Sequence, residues 1–193
     1  MATAAKTIDK WKRKKWFKIF APDLFEKREI GETPAEKPEL VMGRVIKVNI
    51  RTLTGQIKKA HIEAFLKIDN VQGLNASTEV VGMRVKPDTM RRVVRRRNSK
   101  IDFVQDEMTK DGKKVRVKST VVCMKKIERA KETLIRNRLK EELAKLCASK
   151  SRDELINEAI FGNALNALYI SLKNIAGIKR VEIMEIRQLN ARN

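Results

Sequence analysis

The sequence is poor in the side chains that most often carry catalysis or hold metal ions. Its 193 residues include two cysteines, Cys123 and Cys147, and one histidine, His61. A zinc site with four cysteine or histidine ligands therefore cannot form within the chain. His61 falls on the polar side of a predicted strand, which is typical of a surface imidazole. We expect reduced thiols, with Cys123 in a strand and Cys147 in the core of a helix.

Long apolar runs and glycine-rich loops are also absent. The longest stretch without a charged residue covers the 14 residues 159–172, whereas a membrane-spanning helix needs about 20 apolar residues. The start of the chain lacks the apolar run of a secretory signal, so we expect a cytoplasmic protein without a membrane partner. The eight glycines occur singly, which argues against the phosphate-binding loops of nucleotide-dependent enzymes. We expect no cofactor and no small-molecule substrate.

Acidic residues are few relative to basic ones, with 24 Asp and Glu against 44 Lys and Arg, for a net charge of +20. Three blocks hold the excess: seven basic residues against one acid in residues 1–20, eight against one in 84–100, and twelve against three in 110–140. Such self-repulsion destabilises a fold unless an anion neutralises it, as phosphate backbones do. The pattern predicts a polyanionic partner, and a merely solubilising surface is the alternative.

The first basic block mixes its charges with aromatic rings, since five of the nine aromatics lie in residues 1–25. Such a segment can neutralise phosphates while its rings stack on bases or pack into a pocket. A buried helix face holding Trp16 and Phe20, or an interfacial membrane helix, is the alternative. The RNA-binding candidates of this block are Lys10, Trp11, Lys12, Arg13, Lys14, Lys15, Trp16, Phe17 and Lys18.

Residues 32–39 contain two prolines and no apolar period, which predicts a connector. We therefore expect an extended N-terminal segment and linker over residues 1–38, whose first 20 residues can be deleted without unfolding the rest. One α+β domain is expected over residues 39–193.

The first half of this domain reads as a series of short strands. Alternating apolar residues predict strands over 46–50, 60–68 and 81–85, and a further strand begins at 101–103. An Asp-Gly turn at 111–112 predicts a hairpin that leads into a strand over 115–123. The predicted fold class is α+β, with an antiparallel β-barrel or sandwich core over residues 43–126 and a basic helix between its strands.

That basic helix is predicted over residues 87–97, with Asp88 or Thr89 as its N-terminal cap. Arginines line the face opposite Met90, and their like-charge pairs four residues apart each cost an isolated helix a few tenths of a kcal/mol. The arrangement therefore favours contact with phosphates, and pairing with acids elsewhere in the fold is the alternative. The candidates are Arg91, Arg92, Arg95, Arg96 and Arg97.

The third basic block leads into the predicted helical part, residues 127–176. Its long helix has an apolar stripe, which is expected to contain Ala130, Leu134, Leu139, Leu143 and Leu146. Ser151 and Glu154 form a capping-box pattern for a second helix that Gly162 breaks, and a final strand is predicted over 178–189. The RNA-binding candidates of this block are Lys113, Lys114, Lys125, Lys126 and Arg129.

One acidic group is compatible with catalysis. Asp102 and Asp106 are predicted on the same side of a strand, next to Glu107, as a metal-dependent nuclease would require. The alternative is an acidic strand that pairs with arginines and discourages edge-to-edge pairing of sheets. We favour the second interpretation and expect that the protein is not an enzyme.

Short segments in a fixed order carry a family resemblance. They are KKWF at residues 14–17, APDLF at 21–25, IG at 30–31, GRV at 43–45, DNVQG at 69–73, GM at 82–83, the basic stretch 88–97 and DG at 111–112. In their order and spacing the sequence resembles the archaeal and eukaryotic small-subunit ribosomal protein family S3Ae. The short N-terminus is more similar to the archaeal branch.

The resemblance implies a structural protein of the ribosome, with a β-barrel-like core and a basic N-terminal segment threaded against RNA. It implies a place on the small-subunit platform near the mRNA exit. Its partners would be small-subunit ribosomal RNA, neighbouring platform proteins and mRNA near the exit. Charge alone leaves a free nucleic-acid-binding regulator as the alternative, with the metal-dependent nuclease as a third hypothesis.

Overall fold

The computed structural model describes residues 10–189. The first nine residues of the predicted N-terminal segment, residues 190–193 and the side chain of the candidate Lys10 lie outside this description. The described chain contains eight strands: β1 Lys15–Phe20, β2 Glu29–Ala35, β3 Val45–Asn49, β4 Ile62–Gln72, β5 Asn75–Val85, β6 Lys100–Met108, β7 Lys114–Cys123 and β8 Ile178–Gln188. It also contains five α-helices: α1 Ile50–Thr54, α2 Pro87–Val93, α3 Arg129–Ser149, α4 Arg152–Phe161 and α5 Asn163–Lys173.

The strands form one branched sheet. Neighbours follow the order β2-β1-β5-β8-β7-β6, while β4 lies on the other side of β5 and is followed by β3. All pairs are antiparallel except β1 with β5. One edge of β5 is shared, because β1 pairs with residues 75–77 and β8 with residues 82–84.

The α+β class is confirmed, but the barrel alternative is wrong. Within residues 10–189, β2, β3 and β6 each pair with one neighbour, so the sheet keeps open ends. The physical reason is the shared edge of β5, which makes the sheet branch instead of closing on itself. Helices α3 and α5 contact β6 and β8 and cover the sheet, and the main hydrophobic core joins all of these elements.

The N-terminal prediction of an extended segment and linker is wrong for residues 15–35. These residues form the β1–β2 hairpin of the sheet, and Phe17 and Ile19 are buried while Trp16 and Lys18 point outward. The alternation excludes the buried-helix alternative for this stretch. Pro34 does not prevent pairing because β2 is an edge strand, where a missing N–H on the open side costs nothing.

Several local predictions about the second half of the chain are confirmed. Ser151 caps α4 in a capping box with Glu154, and Gly162, with a φ of 93°, separates α4 from α5. Cys123 lies in β7 and Cys147 in α3, and both are fully buried, reduced thiols. Burial, with a smaller effect of the Glu107 charge, raises the pKa of Cys147 to about 11.

Other local predictions are wrong in register. Ala130 and Leu134 are exposed, and the buried stripe of α3 consists of Ile135, Leu139, Leu143 and Cys147, four residues apart. Ile50 begins α1 instead of ending β3, because Asn49 accepts a hydrogen bond from the Arg51 N–H and caps the helix. His61 precedes β4. Within the described chain, no helix combines the length and apolar character needed to span a membrane.

Candidate nucleic-acid interface

Helix α2 is shorter than the sequence predicts. Pro87 occupies its first turn, Lys86 is the N-terminal cap in place of the predicted Asp88 or Thr89, and the helix ends at Val93. Two β-branched residues, Val93 and Val94, lower helix propensity at this point. A longer helix would also place the following arginines four residues from Arg91 and Arg92, where like charges repel.

Arg95, Arg96 and Arg97 consequently form an exposed turn, which we call the arginine turn. Arg97 has a φ of 69°, a left-handed conformation that occurs in turns and that a right-handed helix excludes. The Asn98 N–H donates to the carbonyl oxygen of Arg95 at 3.2 Å and closes the turn. The three guanidinium groups therefore project from a tight loop next to the end of α2.

Most of these arginines have no acidic partner. Arg91 pairs with Asp88 of its own helix at 3.5 Å. Within residues 10–189, no carboxylate lies within ion-pair distance of Arg92, Arg95, Arg96 or Arg97. The acids nearest in sequence have other partners, since Asp102 pairs with Lys100 at 2.8 Å and Asp106 with Arg116. The alternative that these arginines pair with acids elsewhere in the fold is therefore wrong for residues 10–189.

Ser99 joins the second basic block to the third. Its backbone N–H donates to the carbonyl oxygen of Lys125 at 3.4 Å, and its hydroxyl accepts from the Ile127 N–H at 3.0 Å. Lys125 and Lys126 are both exposed on this loop, and Arg129 begins α3 just beyond it. The fold thus assembles one surface, here called the arginine–lysine surface: Arg91, Arg92, Arg95, Arg96, Arg97, Lys125, Lys126 and Arg129.

The other candidates of the third block lie elsewhere. Lys113 and Lys114 are at the hairpin end of β7, and Lys125 follows its opposite end. A ten-residue strand is roughly 30 Å long, so the two groups are separated by that distance. Lys113 also pairs with Glu79 at 3.5 Å.

The candidates in residues 11–18 form a second, separate surface. Lys18 lies beside Asn75 at the start of β5, whereas α2 follows the end of that strand. Lys12, Lys14 and Lys15 are exposed, while Arg13 pairs with Glu36 at 3.6 Å and Lys18 with Glu29 at 3.5 Å.

The aromatic candidates of this surface divide into two kinds. Trp11 and Trp16 are 60% and 55% exposed, and the Lys14 ammonium lies 4.1 Å from the centre of the Trp11 ring. Phe17 is 1% exposed and packs in a small core with Ile19 and Val41. Phe17 therefore cannot stack on a base, and of the two roles expected for these rings, stacking or packing into a pocket, it fits only the second.

The acidic group considered for a nuclease is engaged by side chains of β6 itself and of the neighbouring β7. The Arg116 guanidinium donates to both carboxylate oxygens of Asp106 at 2.6 and 2.8 Å, and these hydrogen bonds hold the pKa of Asp106 below its usual value. Thr120 donates to Asp102 at 2.7 Å, and Gln105 donates to Glu107. Among residues 10–189, no cluster of three or more potential metal ligands occurs.

Sequence reasoning missed the buried Arg152. Its side chain is 2% exposed, although it occupies the first turn of α4. The guanidinium donates to Glu79 on β5, to Asp153 at 2.9 Å and to Gln188 on β8 at 2.7 Å. Partial burial alone would raise the pKa of Glu79, but the hydrogen bond and charge of Arg152 outweigh it and lower that pKa. No local pattern reveals this role, because two of its partners, Glu79 and Gln188, come from strands distant in sequence.

Comparison with known proteins adds a decisive observation. The model of the ribosomal S3Ae family matches residues 2–191. The chain belongs to this family. Its relatives include the small ribosomal subunit protein eS1 of Methanobrevibacter smithii, which is 37% identical over 182 residues and 94% of each chain. The proteins of the same name from Methanothermobacter thermautotrophicus and Picrophilus torridus are 33% and 34% identical, over 94% and 92% of this chain and 93% and 85% of theirs.

In this member of the S3Ae family, the fold therefore brings parts of the second and third basic blocks together on one surface. The first block lies on a separate surface. The arginine turn and Lys125 are brought together by Ser99, a residue that the charge count does not single out. The one signal in the sequence is a serine between a run of arginines and a strand, because serine hydroxyls commonly form hydrogen bonds with backbone groups.

Proposed function

We propose that the protein is a structural constituent of the small ribosomal subunit and binds its ribosomal RNA through the arginine–lysine surface. The observation that supports this most is the set of exposed guanidinium groups without acidic partners in the described chain, next to Lys125 and Lys126. Such uncompensated charge is unfavourable in isolation and is neutralised by phosphates, which release their condensed counterions on binding.

The chemistry of recognition follows from the residue types. Guanidinium groups bind phosphate oxygens in a bidentate manner, and ammonium groups act as point charges. Phosphate contacts fix the orientation of a protein on RNA and carry little sequence information. The surface accordingly recognises the shape of a folded RNA backbone, and the N-terminal surface with Trp11 and Trp16 adds a second point of contact.

We place the protein on the platform near the mRNA exit, within the cytoplasmic ribosome. Its neighbours there are other platform proteins and mRNA leaving the subunit. The names of the archaeal relatives support the small subunit, and the family resemblance supports the finer position. The cross-strand pairing of Asp102 and Asp106 favours a structural role over nuclease activity.

The test is association with small subunits in a lysate at increasing salt. Replacing Arg95, Arg96 and Arg97 with glutamine removes three phosphate contacts, so the slope of log affinity against log salt should decrease by about 2 to 3. The matched control is Lys27→Gln with Lys37→Gln and Lys58→Gln, three exposed lysines outside the basic blocks. It should leave the slope unchanged.

Two results would contradict the proposal. One is failure of the unaltered protein to sediment with salt-washed small subunits in stoichiometric amounts, which would favour a free regulator. The other is an equal loss of affinity in the arginine variant and the lysine control, which would mean that only net charge matters.

A further inference from the structure

A cleft of about 660 Å³ opens where β5 changes neighbours from β1 to β8. Its volume lies within the roughly 300–1,000 Å³ range of small-ligand sites. Arg152, Glu79 and Gln188, whose hydrogen bonds are described above, form part of its wall. The cleft is separate from the arginine–lysine surface, because no residue of that surface lines it.

Phe65 is an unusual component of this cleft. It lies on β4 between Ala64 and Leu66, both fully buried, so its ring faces the opposite side of the sheet. Phe65 is half-buried and belongs to neither hydrophobic core of residues 10–189. Directly across the β4–β5 pair is Gly82, which has no side chain to cover the ring. The ring therefore offers a flat apolar surface inside the cleft.

Basic side chains surround this ring. Five of them line the cleft, together with two carboxylates. Glu79 is already paired with Lys113 and Arg152, and Glu185 with Lys118. The remaining Lys67, Arg84 and Arg187 have no carboxylate partner within residues 10–189. Arg187 lies beside Gly82 on the neighbouring strand, so cationic groups flank the platform.

We propose that this cleft binds one unpaired nucleotide of RNA. The base stacks on Phe65, and its flanking phosphates contact Lys67, Arg84 and Arg187. Aromatic rings among basic side chains bind single strands in this way, because every base has a stacking face and every nucleotide a phosphate. The inference deepens the proposed function and rests on RNA binding by this protein. An acidic peptide would share the charge complementarity but not the requirement for an aromatic ring.

The experiment measures binding of the full chain to a labelled eight-nucleotide single-stranded RNA of mixed sequence and to a duplex of the same length. Phe65→Leu keeps an apolar side chain but removes the aromatic face, so the single strand should bind about tenfold more weakly. Affinity for the duplex should change less than twofold, since its bases are already stacked. The matched control is Phe103→Leu, a half-buried phenylalanine on β6 outside the cleft, and it should leave both affinities unchanged.

A second variant tests the inference independently in case Phe65→Leu does not fold. Lys67→Gln with Arg84→Gln leaves the ring in place and should also weaken single-strand binding selectively. The inference is overturned if both variants bind the single strand normally, or if an eight-residue glutamate peptide displaces it from the unaltered protein at equal concentration. The arginine-turn variant separates the two proposals. Its weakened RNA binding beside normal binding by both cleft variants would refute only the cleft, whereas failure of the unaltered protein to bind either RNA would refute both.

Discussion

Gly82 is the residue at which β5 and β8 approach too closely for any side chain. A Cβ atom at this position would collide with the backbone carbonyl oxygen of Ile186. Because the obstacle is backbone in the middle of the sheet, neither strand can move aside without breaking its pairing. The same glycine leaves the Phe65 ring uncovered, so packing and the proposed nucleotide site depend on one position.

We expect Gly82→Ala to lower the free energy of unfolding by at least about 2 kcal/mol, within the range for overpacking a buried site. The control is Gly31→Ala on β2, where a Cβ would meet nothing within 4 Å. That change should be neutral or slightly stabilising, since alanine restricts the unfolded chain. Urea unfolding measures both, and equal midpoints for the two variants would show that the close approach is not rigid.

Strand β1 marks the boundary between the N-terminal segment and the folded domain. Residues 11–14 contribute exposed side chains, whereas Phe17 and Ile19 of β1 are buried in the small core. The sequence places this boundary near residue 38, because the aromatic and basic residues obscure the alternation of β1. β1 pairs along its whole length with β2, and its residues 18–20 also pair with residues 75–77 of β5, which are distant in sequence.

We therefore revise the expectation that the first 20 residues can be deleted without unfolding the rest. Deleting residues 1–14 should leave the folded domain intact and weaken RNA binding only. Deleting residues 1–20 removes two buried side chains, each contributing about 1.5–3 kcal/mol, and leaves β2 without the strand it pairs with. We expect this second deletion to lower the thermal midpoint strongly. Equal midpoints for the two deletions would mean that β1 is dispensable.

A helix or strand can be predicted from the sequence when the residues that determine it are close to one another in the chain. The capping box of α4, the strand β3 and the strand β7 follow from neighbouring residues, and all three are confirmed, although residues 119–123 of β7 are buried without alternation. The end of α2 at Val93 also depends on neighbouring residues, but the arginines are spaced as on a helix and therefore predict a helix that continues to residue 97. The branching of the sheet at β5 and the burial of Arg152 depend on strands far apart in sequence, and no local pattern encodes them.

For the whole molecule, the charge count predicts basic surfaces but not how they are grouped. The three blocks of the sequence become the arginine–lysine surface, an N-terminal surface and a hairpin end that is partly neutralised by Glu79. Grouping requires the hydrogen bonds of Ser99, which join it to Lys125 and Ile127, 26 and 28 residues away in sequence. We therefore expect the arginine turn and the Lys125–Lys126 loop to contact one continuous stretch of folded RNA.

Directed hydroxyl-radical probing on reconstituted small subunits tests this claim most directly. Iron chelates attached through Arg96→Cys, Lys126→Cys and, as a reference, Lys114→Cys report the RNA near each position, and the buried Cys123 and Cys147 should not react. We predict overlapping cleavage of ribosomal RNA from positions 96 and 126, and a different pattern from position 114. Cleavage from positions 96 and 126 at unrelated sites, or no cleavage of RNA from either, would contradict the account.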